Sequence, residues 1–498
     1  MRKKRLAYNT ISSLVFQLVT IISGFIIPRL ILVSYGSEIN GLVNSITQFL
    51  QMISFLELGV GAVVQSALYK PLAEKDNVRI SQIITSASIF FKRLAHILLI
   101  YVVGLIIFYP LIVGKFDFLF TALLISAMSI SSFAQYYLAV VDKLLLNADQ
   151  HGYIQYNIQT IAVILNTIAC VILIRIGASI QVVRLSTSLI YLIRPLYLRY
   201  YVNKNYSINR HARYDSEPIP QKWNGVAQHV AAIILDSTDN IVLTLFATLS
   251  DVSIYSVYYL VVFGVKQIIQ SLTSGIQSLM GELWARQENE KLLSFFSKME
   301  WIVHTGTVLV FSCTWILIVP FVQVYTNGIN DANYVQPLFA ALLTAANMVH
   351  CLRLPYVTMV LAAGHYKQTQ SNYIISAALN IIISIVMVKS FGLIGVAIGT
   401  LVSMMYQTIW MAIYGACNLV KRSLLPLFKQ FAADVLSVVL SVAVTSTLTL
   451  SETTYASWVV MAIKVILLVG VIQALVNIIF YREHCMTLVK KERAKENE

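Results

Sequence analysis

The chain is a succession of apolar runs, each about 20 residues long, recurring from Leu6 to Tyr481. A helix rising 1.5 Å per residue needs about 20 residues to cross a hydrocarbon core of about 30 Å. The pattern therefore confines the fold to an all-α integral membrane protein. Composition agrees, because 58% of the 498 residues are hydrophobic and only 12% charged, which no soluble globular class matches. Fourteen transmembrane helices are expected, over 10–34, 40–68, 94–113, 117–141, 154–176, 178–202, 224–248, 252–280, 301–325, 335–363, 370–389, 392–418, 428–449 and 456–481. The opening "MRKKRLAYNTISSLVFQ" imitates a signal peptide, but its apolar part runs past 20 residues without a small-x-small cleavage site. It reads as a retained first span.

A net charge of +13 invites a nucleic-acid reading, which the positions of the 36 Lys and Arg exclude. With the N-terminus in the cytoplasm, fourteen spans leave the C-terminus there too. All the basic residues then fall on inner loops, tails and inner helix ends except Lys115, Arg175, Arg184 and Lys389 outside and Arg29, Lys266, Arg353 and Lys464 within spans. This is the positive-inside bias of a multi-pass protein. The five cysteines, Cys170, Cys313, Cys351, Cys417 and Cys485, are scattered and mostly intramembrane, so neither disulfides nor a metal site is implied.

The longest connection, "NKNYSINRHARYDSEPIPQKW", is polar and divides the chain into an N-lobe at 1–202, a cytoplasmic linker at 203–223, a C-lobe at 224–418, and two further helices with a tail at 419–498. At an offset of 215 the fifth and sixth spans match the eleventh and twelfth, through Gln155 and Gln370, Asn157 and Asn372, Gly177 and Gly392, and Tyr191 and Tyr406. Each half has an even number of spans, so the halves are parallel repeats, an arrangement that in transporters encloses a central site reached by alternating access. Outer loops are short and leave no room for an external catalytic domain. "GELWARQENEKLLSFFSKMEW" reads as an amphipathic surface helix offering Trp284, Leu292, Leu293, Phe295 and Phe296 to lipid.

Charges inside a bilayer cost roughly 2.5 to 3.5 kcal/mol each, so each needs a partner or a hydrated cavity. Arg29 follows Pro28, which removes a backbone hydrogen bond and is expected to open the helix; Arg29 lies about 10 Å and Glu57 about 26 Å from the outer ends of their helices, too far apart in depth to pair. Snorkelling of Arg29 toward the outer surface is the plainer alternative. Asp236 and Asp239 share one helical face, and Lys266 matches Asp236 in depth at about 20 Å, so an ion pair is expected, leaving Asp239 for coupling to H+ or Na+. His350 and Arg353 stand one turn apart just before Pro355, which predicts a bent or broken helix there. Lys464 has no depth-matched acid. No phosphate-cradling loop or catalytic constellation occurs, and no cofactor is implied; Gly392, Gly395 and Gly399 read as a close helix contact.

The segment "FIIPRLILVSYGSEINGLVNSITQFLQMISFLELGVGAVVQSALYKPLAEKD" resembles the first two spans of bacterial lipid-linked oligosaccharide flippases, the polysaccharide transporters of the multidrug/oligosaccharidyl-lipid/polysaccharide exporter superfamily. So do "LLLNADQHGYI" and "STDNIVLTLF". The resemblance implies a MATE-like fold of two six-helix pseudo-repeat lobes plus two C-terminal helices, in the bacterial cytoplasmic membrane. It implies transfer of an undecaprenyl-pyrophosphate-linked oligosaccharide from the inner to the outer leaflet for capsule, O-antigen or exopolysaccharide assembly, alongside a polymerase and other assembly proteins. Guanidinium groups bind phosphate oxygens in pairs, so Arg29 and Arg353 are the candidates for the pyrophosphate, with Glu57, Gln65 and His350 completing the substrate-binding set. Gln17, Gln135, Asn157 and Asn372 are further candidates for the sugars or for interhelical contact. The alternatives are a peptidoglycan lipid-precursor flippase, a cation-coupled drug exporter and, from a different class, a membrane polysaccharide polymerase or ligase.

Overall fold

The computed structural model describes residues 2–52, 55–219, 238–274 and 276–482. These are helical nearly throughout, because in hydrocarbon a helix satisfies its backbone N–H and C=O groups within its own segment. Contacts divide the chain into two units, Met1–Ser253 and Ile254–Glu498.

The first unit contains α1 (Arg2–Gln51), α2 (Phe55–Glu74), α3 (Asn77–Val113), α4 (Phe118–Ala134), α5 (Val140–Ala148), α6 (Gly152–Arg175), α7 (Ile180–Tyr191), α8 (Ile193–Asn205) and α9 over 238–246. Helices α1 and α6 lie parallel in constant register. The Tyr153 N–H donates to Asn9 Oδ1 at 2.7 Å, Ser23 Oγ meets Thr167 Oγ1 at 2.8 Å, and the Tyr35 hydroxyl donates to the Ala178 carbonyl at 2.6 Å. Such polar contacts matter because lipid tails are as apolar as leucine, so apolar burial alone does not hold membrane helices together. Helix α1 runs unbroken through Pro28; its bend comes at Gly36, with φ 83° and ψ 173°. The expected opening at Pro28 is therefore absent, and a single glycine, which tolerates positive φ, replaces the expected outer loop.

The polar connection after α8 is docked on the first unit along 206–219. Asn209 N–H donates to Ser81 Oγ at 3.1 Å, Ser86 Oγ donates to Glu217 Oε1 at 2.5 Å, and Ile219 is buried. Arg210 Nη2 donates to Asp142 Oδ1 at 2.8 Å while Arg199 Nη1 stands 3.5 Å from Oδ2.

Helix α10 (Leu249–Ser274) leads into the second unit, followed by α11 (Gln277–Ala285), α12 (Asn289–Tyr325), α13 (Pro337–Leu352), α14 (Leu354–Ala363), α15 (Tyr366–Phe391), α16 (Leu393–Tyr414), α17 (Leu425–Thr445) and α18 (Tyr455–Phe480). The expected surface helix over 281–301 is instead divided at 286–288, where Gln287 has φ 56°, and its second part is the start of α12. Leu292 and Phe296 are consequently buried, at 2% and 1% exposure, rather than offered to lipid. Helices α15 and α16 pack at their glycines: a methyl group on Gly395 would lie 2.5 Å from the Met387 carbonyl oxygen, and one on Gly399 would lie 2.3 Å from Ser384 Oγ. The paired Gly177 and Gly392 both adopt positive φ, 76° and 53°, in the turns after α6 and α15.

Among the described residues eleven helical stretches are long and apolar enough to cross a membrane. The first covers the first expected span and the opening 40–51 of the second, most of whose remainder is α2. The sixth is split at Leu192 into two shorter helices, and most of the seventh lies outside the described residues.

Candidate functional site

Pro355 has no N–H to return to the carbonyl four residues earlier, and the helix is divided there by one residue, α13 ending at Leu352 and α14 starting at Leu354, with Arg353 between them still at helical angles, φ −74° and ψ −22°. Thr408 Oγ1 of α16 reaches into this region and donates to the Val349 carbonyl at 3.1 Å. Arg353 occupies the joint itself, 5% exposed. Its Nη2 lies 2.9 Å from His350 Nδ1, and its Nη1 points to Met404 Sδ of α16 at 3.7 Å. A guanidinium has only donors, so His350 Nδ1 accepts and the ring is the neutral tautomer with its proton on Nε2. The Gln270 side-chain nitrogen on α10 is 3.3 Å from that Nε2; with the proton on Nε2, the amide accepts it only when turned to present its oxygen.

Lys266, one turn before Gln270 and 4% exposed, acts electrostatically on both His350 and Cys351. The second unit thus gathers Lys266, His350 and Arg353 at one buried place, with the Tyr373 ring of α15 also within the field of Arg353. Nearby amides add hydrogen-bonding capacity. Helices α15 and α16 are antiparallel, with Asn380 Nδ2 donating to Thr400 Oγ1 at 3.1 Å and Ser376 Oγ to the Ser403 carbonyl at 3.1 Å. One turn on, the same register sets Asn372 level with Gln407. Both are buried, and neither amide has a hydrogen-bond partner among the described residues.

The other expected residues belong to the first unit or lie outside the described residues. Arg29 is half-buried on α1, between the Ser23 contact to α6 and the Tyr35 contact to the turn that follows α6. Gln65 Nε2 donates to the Tyr69 hydroxyl at 3.0 Å within α2. Asp239 is buried on α9, 3% exposed. The Glu57 side chain and the whole of Asp236 are outside the described residues, so the expected Asp236 to Lys266 pair falls there too. Lys464 lies on an exposed face of α18. Among the described residues no cluster of three metal-ligating side chains occurs.

A second buried cluster was not anticipated. Arg422 forks onto Glu300, Nη1 to Oε2 at 2.7 Å and Nη2 to Oε1 at 2.5 Å, and the Tyr356 hydroxyl donates to the same Oε1 at 2.7 Å. His304, fully buried, places Nδ1 2.6 Å from Asp434 Oδ2 and is 3.4 Å from the Tyr356 hydroxyl. Gln430 Nε2 donates to Asp434 Oδ1 at 3.2 Å. These contacts tie α12, α14, α17 and the connection after α16 together. The available signals were Glu300 and His304 one turn apart and the carboxylate of Asp434 inside the thirteenth span.

No family model and no curated protein sequence matches the chain. Solved structures do. The chain is similar to the lipid II flippase MurJ in an inward closed conformation, with TM-score 0.67 and 14% identity over 95% of this chain and 99% of that one. It is similar to an inward-facing multidrug resistance MATE family transporter of the MOP superfamily, with TM-score 0.64 and 14% identity over 82% and 95%. A MOP superfamily transporter from Pyrococcus furiosus gives 0.62 and 14% over 84% and 97%. At this identity the likeness defines the fold, which is the all-α membrane fold of MATE and MurJ transporters.

Proposed function

We propose that the protein is a flippase that moves a polyprenyl-diphosphate-linked oligosaccharide, an undecaprenyl-pyrophosphate repeat unit, from the inner to the outer leaflet of the bacterial cytoplasmic membrane by alternating access. The observation that carries this reading is the gathering of Lys266, His350 and Arg353 at the interrupted helix. A diphosphate crossing hydrocarbon needs fixed positive charge, and a guanidinium offers paired donors to its oxygens. Asn372 and Gln407 supply unfilled hydrogen-bonding capacity suited to sugar hydroxyls. Arg29 of the first unit is the candidate for a second diphosphate contact, and Asp239 for coupling to H+ or Na+. A drug exporter acting on organic cations would favour carboxylates at this position instead. The positive-inside distribution supports a cytoplasmic position for both termini, and a polymerase of surface polysaccharide is the expected downstream partner.

A peptidoglycan lipid-precursor flippase is the second reading, favoured by the match to the lipid II flippase over nearly the whole of both chains. The deciding experiment reconstitutes the full chain in proteoliposomes and follows leaflet transfer of an undecaprenyl-diphosphate oligosaccharide, of lipid II and of an organic cation. Transfer of the oligosaccharide lipid, lost in Arg353→Ala, supports the main reading. Transfer of lipid II alone supports the second, and export of the cation alone rules out both.

A further inference from the structure

A cavity of about 560 Å³ lies in the second unit between the start of α12, the start of α17 and the last turn of α18. Three cationic side chains line it, Arg422, Lys429 and Arg482, against one carboxylate, Glu300. Arg422 is fixed: its side chain is 7% exposed, two of its nitrogens are held by Glu300, and its guanidinium lies 5.1 Å from the centre of the Phe296 ring. Its Nε is buried, with no hydrogen-bond acceptor among the described residues, so what Arg422 offers the cavity is its positive field rather than a further donor. Lys429 is exposed and lies over the Tyr481 ring at 5.3 Å; Arg482 is exposed.

Charge indicates the occupant. Among the described residues three cations and one carboxylate leave two positive charges around the cavity, which suits an anion. The rim says what it is attached to. Leu425 and Ile479 line the cavity and are about three-quarters exposed, while Trp301 and Tyr481 supply the amphipathic rings characteristic of the membrane boundary. A free ion would use the cations and make no use of this apolar rim. An ester with an acyl or prenyl body satisfies both.

We propose that this cavity binds the phosphate headgroup of an anionic membrane lipid, with Lys429 and Arg482 on the phosphate and the lipid chains along Leu425 and Ile479. Basic pockets between transmembrane helices are suited to such headgroups. The site lies on a different set of helices from the Arg353 cluster and does not depend on what the protein carries. Its role is to join α17 and α18 to α12 through a lipid.

The test uses the full chain in detergent, titrated with dioctanoyl phosphatidylglycerol, dioctanoyl phosphatidylcholine or inorganic phosphate while thermal unfolding is followed. The variant is Lys429→Gln with Arg482→Gln, both exposed and outside the Glu300 to Arg422 pair. Phosphatidylglycerol is expected to raise the melting temperature saturably, with affinity falling roughly thirty-fold in the double variant, the sum of two basic contacts at an anionic surface. The other two additives should have no comparable effect. Equal stabilisation by phosphatidylcholine, equal stabilisation by inorganic phosphate, or undiminished phosphatidylglycerol affinity in the double variant would each overturn the proposal.

Discussion

Arg210, in the segment that follows α8, holds Asp142 of α5 through a 2.8 Å contact from Nη2 to Oδ1, and the Asp142 side chain is completely buried. Arg210 is itself braced by Asn203 Oδ1, which accepts from Nε at 3.1 Å and from Nη2 at 2.9 Å. The contact spans 68 residues of sequence and fastens a polar connection to the helices it leaves.

Asp142→Ala should release that connection. Removing one partner of a buried ion pair leaves the others uncompensated and costs about 3 to 5 kcal/mol. Arg210→Ala should cost less, because Arg199 still faces the carboxylate. Limited trypsin digestion after Lys204, Arg210 and Arg213 measures the release, and equal cleavage rates in wild type and Asp142→Ala would contradict it.

Glu300→Ala should be among the most destabilising single changes in the second unit. It strands the Arg422 guanidinium and removes the acceptor of the Tyr356 hydroxyl. A loss of about 3 to 5 kcal/mol is expected, with much of it regained in Glu300→Leu combined with Arg422→Met, since an apolar pair of similar volume often replaces a buried bridge without penalty. Thermal melts of the detergent-solubilised protein give both values. A double variant no better than the single one would count against this account.

Gly399→Ala should push α15 and α16 apart, because the added methyl meets Ser384 Oγ at 2.3 Å and the Ser384 backbone nitrogen at 2.9 Å. Overpacking of this kind costs about 1 to 3 kcal/mol. Adding Ser384→Gly should recover part of the loss by removing the Oγ. If Gly399→Ala melts with the wild type, the two helices do not approach this closely.

Arg353→Lys should fail in transport although it keeps the charge. A lysine cannot reproduce the fork that reaches His350 and Met404 together. Lys266→Met should weaken affinity for the anionic cargo more than it slows turnover at saturation, since Lys266 adds field at the site without a fork of its own. Initial rates over a range of cargo concentrations in proteoliposomes separate the two effects, and wild-type rates for Arg353→Lys would remove the guanidinium from the mechanism.

What could be read in advance was local. Hydropathy marked the spans, Pro355 marked the interruption before it, and the Gly177 and Gly392 match marked two turns that both need positive φ. What could not be read depended on contacts between distant segments. Glu300 sits one residue before the expected start of a span, yet α12 begins eleven residues earlier, at Asn289, so the carboxylate is deep within a helix rather than at its entrance. Its partner Arg422 lies 122 residues away, and His304 meets Asp434 across 130. Arg184, counted with the outer charges, is the fifth residue of α7 and lies near Tyr191 and Cys170. The connection after α8 looked solvated because its composition is polar, but those polar groups are the ones that dock it.

The joint between α13 and α14 has one more consequence. Arg353 is at once the residue between the two helical segments and the owner of the guanidinium that meets His350. Whatever takes hold of that side chain therefore acts on the backbone at the residue where α13 gives way to α14, so a load on the guanidinium reaches both segments at once.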